Sequence, residues 1–197
     1  MNQHSFKIIL IDNYDSFTFN LVHLIEKVSG IKPIVKRNDE VTLEEINEYD
    51  LMVLSPGPGI PSEAGKLKEI IQTYANSKPI FGVCLGLQAI VEVFGGTLEN
   101  METVYHGVST DITVDNTNSE LFKGLGTSLT VGRYHSWIAS SNNFPKAFRV
   151  TAIDNQNRIM AIEHQSLPIY AVQFHPESIL TPDGEQILRN LISELKN

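Results

Sequence analysis

Along the first half of the chain the hydrophobic positions switch repeatedly between short unbroken runs and a wider, helical spacing. Residues 7–11 (KIILI) are an almost continuous β-branched run of the kind buried in a parallel sheet. Behind them Phe17, Leu21, Leu24, Ile25 and Val28 recur at helical spacing, and Gly30 stops the helix. The pattern then repeats: 34–36, 51–54 and 79–83 read as strands, 62–74 and 85–94 as helices. Strands alternating with helices predict an α/β fold, a doubly wound and mostly parallel central sheet with flanking helices and right-handed crossovers.

The second half changes character. Runs at 107–114, 128–133, 148–153, 158–164 and 169–173 are short and are separated by turn residues such as Asp154-Asn155-Gln156-Asn157. They predict antiparallel or mixed strands, and so a smaller antiparallel sheet in addition to the parallel one. An amphipathic helix over 184–195 follows. No linker, repeat or low-complexity tract interrupts the 197 residues, so 1–197 is expected to form a single domain.

Composition narrows the classes. Apolar residues make up 42% and charged residues 19%, a globular balance rather than a disordered one. The net charge of -8 comes from 15 basic and 23 acidic residues, with no basic cluster to neutralise phosphates, which speaks against nucleic acid as a partner. One cysteine allows no intrachain disulfide. The start, MNQHSFKIILIDNYD, holds only a short apolar run before acidic residues, neither a signal peptide nor a membrane span. The expectation is a cytoplasmic chain without membrane contact.

In open α/β sheets ligands bind beyond the carboxyl ends of the strands. Three strand ends carry unusual residues. After the first comes DNYDSFTFNL, where Asp15 or Ser16 can cap the next helix, which leaves Asn13, Tyr14 and Thr18 for a site or an interface. After the third comes SPGPGIP, rigid and rich in exposed backbone, suited to aiming an N–H at a ligand. After the fourth comes Gly82-Val83-Cys84-Leu85-Gly86. A lone cysteine is commonly a small buried hydrophobe. Here the G-x-C-x-G layout matches a nucleophile elbow, with the helix N-terminus favouring negative charge and the Leu85 amide placed for a developing oxyanion.

A cysteine nucleophile needs a base and a group to orient it. His4 lies near the start, and His23 falls on the polar side of its helix. His106 and His164 have no evident acidic or thiol company, and His135, in GRYHSW, is either a packed histidine or a contact in the site. His175 follows an apolar strand and is followed by Pro176 and Glu177; residues two apart on an extended segment share a side, so Glu177 can hold the ring. An H-x-E alone is as easily a surface pair. With the elbow it becomes a triad candidate. No spacing of His, Cys and acidic residues suggests a metal site.

SPGPGIP, GVCLGLQ and QFHPES, in this order, resemble the class I glutamine amidotransferases, in which a Cys-His-Glu triad releases ammonia from glutamine. NYDSFTFNL and VGRYHSW resemble a narrower group within them, component II of anthranilate synthase and of aminodeoxychorismate (para-aminobenzoate) synthase. The resemblance runs over nearly the whole chain and implies the family's flavodoxin-like fold. It implies that Cys84 attacks glutamine, that His175 shuttles the proton and that Glu177 orients His175. Backbone amides of Gly57 and Leu85 would form the oxyanion hole, and Gly57, Pro58, Gly59, Gln88 and the Ser136-Trp137 backbone would hold glutamine. Asn13, Asp15 and Ser16 would face a partner or an ammonia passage. The implied partner is a chorismate-using component I, with magnesium there and no cofactor in this chain; anthranilate is favoured over para-aminobenzoate, with a subunit shared by both as an alternative. A non-enzymatic thiol sensor and subunits for other acceptors, such as that of the histidine pathway, are rivals. One departure is plain: Leu87 stands where many members have histidine, and is expected to alter packing or partner contact.

Overall fold

A computed structural model describes residues 5–196; His4 lies outside them. In chain order the elements are β1 (Ile8–Asp12), α1 (Thr18–Ser29), β2 (Ile34–Arg37), α2 (Leu43–Ile46), β3 (Leu51–Leu54), a 3-10 turn at Pro61–Glu63, α3 (Leu67–Tyr74), β4 (Ile80–Val83) and α4 (Leu85–Val93). Then come β5 (Leu98–Asn100), β6 (Val108–Val114), β7 (Ser128–Arg133), β8 (Trp137–Ala139), β9 (Phe148–Asp154), β10 (Ile159–His164), β11 (Ile169–Val172) and α5 (Gly184–Lys196).

Nine strands form one sheet in the order β2-β1-β3-β4-β11-β10-β9-β6-β7. The first five are mutually parallel. The remaining pairings are antiparallel, so β9 and β7 run with the parallel strands while β10 and β6 run against them. The strands of the second half thus extend the central sheet, and the small antiparallel sheet is a separate pair, β5 with β8.

Burial explains why the central strands read as unbroken apolar runs. Along β1, Ile8 and Leu10 pack on one face with Leu21, Val22 and Ile25 of α1 and Ile187, Leu188 and Leu191 of α5. Ile9 and Ile11 pack on the other with Leu67, Ile70 and Ile71 of α3 and Ile90 of α4. A strand covered on both faces has no polar side to alternate with. No helix among the described residues is long and apolar enough to cross a membrane.

Three differences from the expected elements have local causes. The helix expected over 62–74 begins only at Leu67, because Gly65 sits at φ +53 and breaks the turn after Pro61–Glu63. The one-turn α2 was not expected; it is held by a capping box, Thr42 accepting from the Glu45 amide and Glu45 from the Thr42 amide, too short to show a period. Phe17, counted in the apolar stripe of α1, lies before it and packs on the Tyr134 and His175 rings, at 5.1 and 5.8 Å.

Candidate active site

The carboxyl ends of β1, β3, β4 and β11 bring four loops together. Cys84 is the turn between β4 and α4, at φ 52 and ψ -100, a conformation that side chains other than glycine rarely adopt. Its amide is held by the Val172 carbonyl of β11 at 2.8 Å. The flanking glycines are there because nothing larger fits: a Cβ on Gly82 would lie 2.8 Å from the Gly86 carbonyl carbon, and one on Gly86 2.8 Å from the Leu54 carbonyl oxygen. Both ends of the elbow are therefore pressed against backbone. Leu85 opens α4, where amides have no intrahelical acceptor.

Gly57 approaches from the loop after β3. A Cβ there would stand 2.7 Å from the Leu85 side chain and 2.6 Å from that of Asn13, so only glycine lets this backbone come so near the elbow. The loop is tied to β1 by Asn13, whose amide donates to Ser55 Oγ and whose Nδ2 donates to the Ser55 carbonyl, both at 2.8 Å.

His175 is 2% exposed, and its Nδ1 lies 2.7 Å from Glu177 Oε1, whose side chain is fully buried. The segment is a turn rather than an extended strand: the Ser178 amide donates to the His175 carbonyl at 3.2 Å, with Pro176 at the second position. The expected contact is made, by a different backbone shape. His175 Nε2 is buried and makes no hydrogen bond of ordinary geometry. Burial opposes the charged ring, but the interactions with Cys84 and with Glu177 outweigh it and His175 is pushed up to about 10. An imidazole held this way keeps its proton beside the thiol.

Two cavities meet at Cys84. The smaller, about 170 Å³, is walled by Gly57, Pro58, Gly59, Gln88, Ser136 and Trp137, which are the residues expected to hold a ligand, with Val104, Tyr105, His106, Tyr134 and His135 completing it. Gln88 Nε2 donates to the Trp137 carbonyl at 2.8 Å and to Gln173 Oε1 at 3.3 Å, and Gln173 Nε2 lies 3.5 Å from Cys84 Sγ. Both carbonyls of the Ser136-Trp137 pair already accept: Ser136 from the Met101 amide at 2.8 Å, Trp137 from Gln88. Gln173 was missed from sequence although it stands in QFHPES; a glutamine just past a strand carries no signal of what it will face.

The larger cavity, about 390 Å³, is bordered by Tyr14, Asp15, Ser16, Phe17, His106 and His175. Asp15 is half-buried and Ser16 exposed. Burial lifts the Asp15 carboxyl above its usual range, with the Phe17 amide opposing. Asn13 does not belong with them as a contact surface: it is 2% exposed, and its side-chain Oδ1 accepts from Asn38 Nδ2 at 3.0 Å, so it clamps loops from within. Leu87 is fully buried among the residues under α4, which makes it a packing residue. His23 is exposed, and His164 packs on Phe148 and Phe94. Among the described residues no three His, Cys, Asp or Glu side chains gather as a metal site.

A mostly parallel sheet carries a strained cysteine at a strand-to-helix elbow, with a buried histidine and carboxylate beside it. The family model described as "Glutamine amidotransferase class-I" matches residues 9–195, and the chain belongs to that family. It is 48% identical over 187 residues to the aminodeoxychorismate/anthranilate synthase component 2 of Bacillus subtilis, covering 94% of this chain and 95% of that one. To an anthranilate synthase component 2 of Haemophilus influenzae it is 45% identical over 196 residues, covering 96% and 98%. A glutamine amidotransferase structure from Thermotoga maritima shares the fold, with a TM-score of 0.78 at 15% identity, over 98% of this chain and 99% of that one.

Proposed function

We propose that this chain is the glutaminase subunit, component II, of a chorismate-using synthase, hydrolysing glutamine to glutamate and passing ammonia to a component I partner. The observation that carries the reading is Cys84 at its elbow beside the buried His175–Glu177 pair, with a small polar cavity opening on the thiol. In this reading the Cys84 sulfur attacks the side-chain amide carbon of glutamine. The oxyanion is met by the Gly57 and Leu85 amides, and His175 gives its proton to the departing ammonia. Water, deprotonated by His175, then opens the thioester and releases glutamate. Glu177 keeps the ring in place through both half-reactions. Gln88 and the 57–59 loop hold the substrate, and magnesium belongs to component I.

Anthranilate is the favoured product. The names of the two relatives support it, and the Bacillus subtilis one, which carries both products, favours a shared subunit or para-aminobenzoate as the second reading. A thiol sensor would have no use for a buried His175–Glu177 pair or for the Gly57 approach. Incubation with each candidate component I, chorismate and glutamine, followed by identification of the aromatic amine, decides between the products. Cys84→Ser is expected to lower glutamine-dependent synthesis by about 10⁴-fold or more while synthesis from ammonium salts persists in the complex. Loss of both together would remove Cys84 from this role. Glutamine turnover is expected to rise when component I is added, and equal rates with and without it would show that the partner does not organise the site.

A further inference from the structure

We propose that Arg133 and His135 are positioning residues for the glutamine pocket: Arg133 fixes His135 in the tautomer that carries its proton on Nδ1, and that N–H, together with the Gln88 amide, holds the Trp137 carbonyl at the pocket wall. The inference rests on the glutamine reading given above.

Arg133 is 1% exposed at the end of β7. Its Nη1 donates to Asp154 Oδ2 on β9 at 2.8 Å, and its Nε donates to His135 Nε2 at 3.1 Å. A guanidinium has donors only, so His135 Nε2 must be the acceptor and the ring's single proton sits on Nδ1. Nδ1 lies 3.0 Å from the Trp137 carbonyl, which is itself only an acceptor, and the two contacts demand the same tautomer. The Trp137 oxygen thereby receives His135 and Gln88, at 3.0 and 2.8 Å, one for each lone pair. Beyond Gln88 the chain of contacts runs through Gln173 to the thiol.

The surroundings keep this ring neutral. Burial is the largest cause, the positive charges of Arg133, His175 and Arg158 add to it, the Trp137 carbonyl opposes, and His135 is held down at about 3. Asp154, the nearby carboxylate, is engaged by Arg133 Nη1 and by the backbone amides of Gln156 and Arg158, at 2.8, 2.9 and 2.9 Å. The Tyr105 ring closes the remaining side, 3.8 Å from the Arg133 guanidinium carbon and 5.7 Å from the His135 ring. His135 therefore cannot serve as the base. Its ring nitrogens are both spent on shape: one is fixed by Arg133 and the other fixes the carbonyl beside Gln88.

The test compares His135→Leu, which keeps bulk and loses the donor, with His135→Asn, which is smaller but places an amide N–H near the position of Nδ1. The probe is 6-diazo-5-oxo-L-norleucine, a glutamine analogue whose diazomethyl carbon takes up a proton and then bonds to the thiolate sulfur as dinitrogen leaves, with labelling of Cys84 followed by mass spectrometry. Iodoacetamide labelling and thermal melting are run alongside. His135→Leu is expected to raise the half-saturating probe concentration about 10-fold or more, with the limiting labelling rate and the iodoacetamide rate within about 3-fold of the parent. His135→Asn is expected to restore most of the affinity. Unchanged affinity in His135→Leu, or an Asn variant no better than the Leu one, overturns the inference. So does a fall in affinity, iodoacetamide rate and melting temperature together, which would mark a purely structural role. If the parent chain is not labelled saturably, or glutamine does not protect it, the glutamine reading itself fails and the inference with it.

Discussion

At the residue scale the site depends on one strained backbone and one buried ion-pairing ring. Cys84 at φ 52 is held by the Val172 carbonyl from one side and by the crowding of Gly82 and Gly86 from the other, so the surrounding sheet enforces a conformation that costs on the order of 1–3 kcal/mol. His175 keeps its proton because Cys84 and Glu177 favour the charged ring more than burial disfavours it. Replacing Glu177 by Gln removes one of those two causes. The expected outcome is a loss of kcat/KM of roughly 10²–10⁴-fold, with the alkaline limb of the pH profile moved to lower pH, measured by glutaminase assay in the complex. Cys84, His175 and Glu177 could be singled out as candidates in the sequence because the G-x-C-x-G elbow and the H-x-E pair, each ambiguous alone, point to the same chemistry when taken together. Gln173 and Arg133 could not. Gln173 lies on the same strand end as His175, and what it touches depends on Gln88 from α4 arriving opposite it.

At the element scale the close approach of α4 to β3 decides where the thiol points. The first turn of α4 packs with Gly86 against Leu54, and a methyl group there would meet backbone 2.8 Å away with no flexible side chain to give way. Gly86→Ala is therefore expected to push the helix start off the sheet, at a cost of about 1–3 kcal/mol. For a chain of this size that lowers Tm by roughly 2–12 °C, and Cys84 labelling by a glutamine analogue should slow with it; an unchanged melting curve with full labelling would mean that the packing is looser than these contacts. The long elements were legible because burial on both sheet faces and on one helix face imposes a period on the sequence. The 3-10 turn at Pro61–Glu63, the one-turn α2 and the three-residue β5 and β8 were not, since elements so short bury too few side chains to leave a pattern.

At the scale of the whole molecule the two buried histidines pull stability in opposite directions with pH. His135 is held at about 3 in the folded chain against about 6.5 unfolded, so its contribution is present in full above pH ~6.5 and is lost as pH falls toward 3. His175 is raised to about 10, so its contribution is present in full below ~6.5 and is lost as pH rises toward 10. Each slope is at most about 1.4 kcal/mol per pH unit. Thermal melting between pH 4 and 9 should show His135→Leu flattening the acid limb and His175→Leu the alkaline one; a variant that parallels the parent at every pH would show that its ring does not titrate differently on folding. The sequence by itself determined the α/β class, the parallel core, the elbow and the His175–Glu177 pair, because these rest on local periodicity, tight turns and residues two apart. Only the tertiary structure decided that the strands of the second half extend the same sheet, that Asn13 faces inward, and that Arg133, His135, Gln88 and Gln173 converge on one carbonyl and one thiol. The Gln88 and Gln173 contacts join residues 49 to 89 positions apart across several elements, and their partners are chosen by strand order and packing, which no local pattern encodes.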